Sequence, residues 1–143
     1  MASPDNALQA ALYARLNGFA ALTTALGANK VFDFVPESAQ PPYVVIGDDT
    51  AVDWDTKTEL GSEFTVNIHA WSFEAAGRKQ VKQILSHVYD ALHQQEDNMS
   101  VTDFTLVQIR REFQTTFQET AIEGQSDRYW HGVARYRAVV EQL

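Results

Sequence analysis

The side chains able to do chemistry near neutral pH are few. They are four histidines (His69, His87, His93 and His131), scattered hydroxyls, and a crowd of carboxylates between residues 48 and 63. Acid–base or nucleophilic catalysis needs a base within hydrogen-bond reach of a nucleophile and a third group to orient it. Ser72, His69 and the aspartates of residues 48–55 supply the types, but no spacing selects them. A zinc site needs close His and acidic ligands. His87 and His93 stand six apart on a predicted helix, about 240° round from a shared face, and His69 and His131 each sit alone on a predicted strand. Every histidine is therefore expected to be a hydrogen-bonded or exposed structural residue, with no catalytic, cofactor or metal role.

The carboxylates Asp48, Asp49, Asp53, Asp55, Glu59 and Glu63, with Lys57 among them, offer enough oxygens for a hard cation. They lack the Asp-x-Asp-x-Asp-Gly register and closing Glu of a calcium loop, so a solvated loop is expected. Trp54 in their midst is expected to rest on its own domain or on a neighbouring subunit. The seven glycines are too scattered to turn backbone N–H groups onto a phosphate. Arg110, Arg111, Arg128, Arg135 and Arg137 fall in the final third of the chain, opposite in sign to the acidic loop. That asymmetry suits a head-to-tail contact between copies. On physical grounds the subunit or lumen interface is expected at Asp48, Asp49, Asp53, Trp54, Asp55, Glu59, Glu63, Arg110, Arg111, Arg135 and Arg137.

Ser3, Pro4 and Asp5 read as N-cap, first helical residue and dipole-favoured acid of a helix over residues 4–26. Gly18 is placed to kink or divide it, and Gly27 to close it. A short strand over 31–35 precedes a proline-confined linker. The apolar run Tyr43 to Ile46 suits a strand buried on both faces, continuing to about Val52. Residues 56–61 turn the chain into a strand over 62–73, where Phe64, Val66, Ile68 and Ala70 alternate with polar residues. The resulting hairpin, residues 48–63, is expected to project from the sheet, because its acids are costly to bury without partners.

Val81, Ile84, Leu85, Val88, Tyr89 and Leu92 form one stripe of a helix over 74–93. Residues 104–113, running on towards Phe117, read as a strand whose Arg110, Arg111 and Glu112 extend past the core. A loop over 118–127 leads to the last strand, with Trp130, Ala134, Tyr136, Ala138 and Val140 on one face and His131, Arg135 and Arg137 on the other. Hairpins separated by amphipathic helices indicate an α+β sandwich: an antiparallel or mixed sheet of four to five strands with two main helices on one face. The other face, carrying His, Arg, Asn and Thr beside Trp71 and Phe73, is left as a solvated surface or an interface.

At 143 residues and 45% hydrophobic content, a single domain spanning 1–143 with its own core is expected. No apolar run approaches a membrane span and no signal peptide is evident, so no membrane partner is expected. Eleven basic against nineteen acidic residues, a formal charge of -8, disfavours a dedicated nucleic-acid binder. Such a surface suits solubility, and lets DNA pass without adhering.

The helix bearing Leu8, Tyr13 and Leu16, the short strand from Val31, the run Pro41-Pro42-Tyr43-Val44-Val45-Ile46-Gly47-Asp48, the strand TVNIHAWS (65–72), the helix ending Asp90-Ala91-Leu92-His93 and the closing Arg135-Tyr136-Arg137 form a familiar series. Nearly the whole chain, in this order, resembles the tail-completion or tail-terminator proteins of long-tailed phages, prophages and gene transfer agents. The resemblance implies a structural virion protein forming a hexameric ring on the head-proximal end of the tail tube. Such a ring ends tube growth and offers a joining surface to the head, with DNA passing through its lumen. The implied partners are further copies, a tail tube protein and a head-tail connector or stopper. Assembly in the host cytoplasm precedes residence in the particle. The family implies no catalytic motif. Two other readings stay open: another tail-tube or connector subunit, and a small α+β enzyme or ligand-binding domain.

Overall fold

In the computed structural model, which describes residues 3–120 and 128–143, the predicted N-terminal helix is two. Helix α1 (Asp5–Asn17) buries Leu8, Ala11, Leu12 and Leu16, and helix α2 (Ala20–Leu26) buries Leu22 and Leu26. They divide at Gly18, whose N–H still donates to Ala14 O, before Phe19 turns extended to begin α2. Gly27 closes α2 at φ 86°, a left-handed conformation that a glycine adopts without a Cβ penalty. Ser3 is not the N-cap of α1: Pro4 occupies that position without a side-chain cap, its carbonyl accepting from Leu8 N.

Strand β1 (Val31–Phe32) is shorter than expected and pairs in parallel with Val44 and Val45 of β2 (Tyr43–Asp53). Strand β2 then turns back into β3 (Gly61–Phe73). A 3-10 turn at Glu74–Ala76 leads into α3 (Gly77–Leu92), and a second at Glu96–Asn98 precedes β4 (Phe104–Thr120) and β5 (Arg128–Gln142). The helix expected from residue 74 thus starts at Gly77, which sits at φ 71°. The predicted loop over 118–127 opens with three residues of β4; beyond residue 120 it lies outside the described residues, as does the Arg128 side chain.

The strands form one mixed sheet in the order β1-β2-β3-β5-β4, parallel only at β1–β2, within an α+β fold. All three helices lie against one face of it: α1 contacts β1 and β2, α2 packs on α3, and α3 contacts β3, β4 and β5. The stripe read from the sequence is the seam. Val81, Ile84, Leu85, Val88 and Leu92 are fully buried against Phe64, Val66, Ile68, Ala134, Tyr136 and Ala138, each large apolar side chain contributing about 1.5–3 kcal/mol. Gly132 lets α3 come this close, since a Cβ there would lie 2.5 Å from Leu85 Cδ1 and 3.1 Å from Val81 Cγ2.

Among the described residues the sheet's second face carries no helix. Strand β2 is therefore not buried on both sides as its apolar run suggested: Val44 and Ile46 are buried, while Tyr43 and Val45 are only half-buried. The β2–β3 hairpin is present, with residues 50–60 exposed. Its β3 arm stays paired with β5 as far as Gly61 opposite Glu141, so only the turn of residues 54–60 extends past the paired strands. Leu60 O accepts from Gln142 N, tying that turn to the end of β5.

Candidate functional site

Period-2 alternation places Glu63, Thr65, Asn67, His69, Trp71 and Phe73 of β3 on the helix-free face, beside Tyr129, His131, Val133, Arg135 and Arg137 of β5. Antiparallel register sets Trp71 opposite His131 and His69 opposite Val133. One end of this face is aromatic. Trp71 stacks on His131 at 3.8 Å between ring centroids, Tyr129 meets the edge of Trp71 at 6.5 Å, Phe73 lies 5.9 Å from Tyr129, and Phe117 of β4 leans on His131 at 4.8 Å.

Within that aromatic group His69 Nδ1 lies 2.8 Å from His131 Nε2, and Glu119 Oε2 lies 3.2 Å from His131 Nδ1, off the line of a hydrogen bond. The expectation that His69 and His131 stand alone is corrected here. They are sixty-two residues apart, and only the β3–β5 register joins them. Burial holds both imidazoles below their ordinary value, outweighing the Asp48 and Glu119 carboxylates that pull His69 up and the Glu119 carboxylate that pulls His131 up. Both rings are therefore neutral near pH 7, one nitrogen donating and the other accepting. Gly47, at the β2 irregularity between Ile46 and Asp49, makes room for this pair: a Cβ there would stand 2.5 Å from His69 Cδ2.

Ser72, the hydroxyl named with His69 in the sequence, points to the helix side, where its Oγ is buried without a partner. Among the described residues no group of three His, Cys, Asp or Glu side chains is arranged to hold a metal. His93 accepts from Arg111 N through Nδ1 and stacks on Tyr89, away from His87. What the arrangement does physically is glue β3, β4 and β5 together on the side the helices do not cover.

The other end of the same face is ionic. Arg137 donates to Glu63 from Nε at 3.0 Å and from Nη2 at 3.0 Å, and to Gln108 at 2.8 Å, which holds the Glu63 carboxyl below its usual range. Arg135 lies over the Phe113 ring and pairs with Glu112 at 3.5 Å. Of the residues expected at an interface, Glu63, Arg135 and Arg137 are thus engaged within the chain. Asp55 Oδ1 accepts from Gly61 N, Glu59 sits in the same turn, and the Trp54 ring lies over Gly61 and is 39% exposed. Asp49, Asp53 and Arg110 are exposed with no ion pair among the described residues, and Asp48 is exposed near His69. Arg111 lies over Tyr89 and donates to Gln114 without meeting a carboxylate.

This face of the sheet thus has an aromatic end and an ionic end. No described helix is long and apolar enough to cross a membrane. The sequence profile of the tail completion protein gp17 family matches residues 10–141. The tail completion protein gp17 of Bacillus phage SPP1 is 31% identical over 88 residues, a match covering 62% of this chain and 63% of that protein, just under two thirds of its length. A chain in the solved virion of a native gene transfer agent particle superposes with a TM-score of 0.80 at 26% identity, over 99% of both chains. The resemblance seen in the sequence agrees with these matches: the chain belongs to the tail completion protein gp17 family, whose members are structural proteins of the phage tail.

Proposed function

We propose that this protein acts as a single domain that assembles with further copies into a ring, the hexamer its family resemblance implies, at the head-proximal end of a tail. There it ends elongation of the tube and presents the surface that joins the head. Its neighbours in this reading are the tail tube protein on one side and a connector or stopper on the other. DNA passes through the lumen past a chain of net charge -8, which discourages adhesion. No residue is catalytic and no cofactor is required. The observation that carries the reading is the correspondence over 99% of both chains with a chain of an assembled gene transfer agent particle.

Cryo-electron imaging of particles carrying a labelled copy tests it. Label confined to a ring at the junction of tail and head is the expected result. Label repeated along the tail would instead make the chain a tube subunit, and a strictly monomeric protein both free and in particles would end the ring reading.

A further inference from the structure

The two edges of the sheet carry opposite, unneutralised charge at the same height. Following the register across the strands, Asp49 of β2 stands opposite Val66, Val66 opposite Tyr136, and Tyr136 opposite Arg111 of β4. The next row runs Thr50, Thr65, Arg137 and Arg110. Cross-strand partners share a face, so Asp49 and Arg111 both lean to the helix side and Arg110 to the other. Asp49, Arg110 and Arg111 have no ion pair among the described residues; the Arg111 guanidinium lies over Tyr89 and donates to Gln114.

The edges also run in compatible directions. Each of the steps β2–β3, β3–β5 and β5–β4 is antiparallel, so β4 runs opposite to β2. A second copy set alongside in the same orientation brings its β2 edge to the first copy's β4 edge in the antiparallel sense. Strand β1 covers β2 only at Val44 and Val45, leaving the acidic half open. At β4, Ile109 O already accepts from Gln94 N and Arg111 N donates to His93, so at this height the meeting is through side chains, not a continued backbone ladder.

We infer that copies of this chain associate head to tail, with Asp48 and Asp49 on the β2 edge of one against Arg110 and Arg111 on the β4 edge of the next. A foreign partner would use one edge; the complementary pair on a single chain, matched in height and sense, fits a second copy. A heterologous contact of this kind repeats from copy to copy, and makes a ring where the rotation between copies closes. The inference rests on the ring reading above and names the surfaces that make it.

The chain has no cysteine, which gives the test a clean background. Asp49 and Arg111 are three strand spacings apart within one chain, roughly 14 Å, too far for an internal disulfide. The variant carrying both Asp49→Cys and Arg111→Cys should, on oxidation, give a ladder of covalent multimers beyond the dimer, while each single-cysteine variant stays monomeric on a non-reducing gel. In parallel, Arg111→Glu should weaken association of the otherwise unmodified protein about tenfold, and adding Asp49→Arg to the same chain should restore it. Dimers from Arg111→Cys alone would mean like edge meets like edge and would overturn the inference. So would an oligomer that neither forms the ladder nor responds to charge reversal, although the ring reading would survive. A wild-type chain that never self-associates would remove both.

Discussion

Between His69 and His131 the proton balance should be measurable as stability. Both rings are held below their ordinary value of about 6.5 by burial, so on acidification the unfolded chain takes up protons before the folded one. Stability is then full above about pH 6.5, falls as the pH drops below it, and stops falling once the folded rings are protonated too. Thermal unfolding followed from pH 8 to pH 5 should show this decline, and the double variant His69→Gln with His131→Gln should lose that part of it. An unchanged slope would mean the decline comes from other groups. Gly47 is the residue on which the pair depends sterically. Gly47→Ala puts a Cβ 2.5 Å from the His69 ring and should cost about 1–3 kcal/mol, read from chemical denaturation.

Helix α3 and the central strands are held by a contact with little slack. Gly132→Ala drives a methyl to within 2.5 Å of Leu85 Cδ1 and should destabilise by about 1–3 kcal/mol. Leu85→Ala, which empties a fully buried position, should cost about 2–5 kcal/mol. Because the two atoms compete for one space, the double variant should be more stable than the sum of the single losses implies. Strict additivity would show that α3 can slide away from β5 without penalty.

Across the whole molecule, the turn of residues 54–60 lies outside the core while the strands on either side of it are paired with the sheet. Replacing residues 54–61 with a two-residue Asn-Gly connection keeps Asp53 beside Ser62 and removes Trp54, Asp55 and Glu59. The monomer should remain folded by circular dichroism, losing the Leu60–Gln142 tie, while ring formation or head joining is impaired. Tails of normal length that join heads and deliver DNA would show that the turn has no part in assembly.

Local patterns carried much of this in the sequence alone. The α3 stripe, the alternation of 64–70, the split faces of the last strand, the break at Gly18 and the closure at Gly27 all follow from periodicities and backbone preferences that act within one element. The series of elements also carried the family. Pairing between elements was not legible. That His69 meets His131, that Glu63 neutralises Arg137, and that Asp49 and Arg111 share a height are consequences of the β3–β5 and β5–β4 register, which brings together residues far apart in the chain. Tertiary structure also decided that β2 buries one face and not two, because an apolar run reads alike whether helices cover one side of a sheet or both. Register depends on how whole strands fit a common core, and no local window of sequence contains that fit.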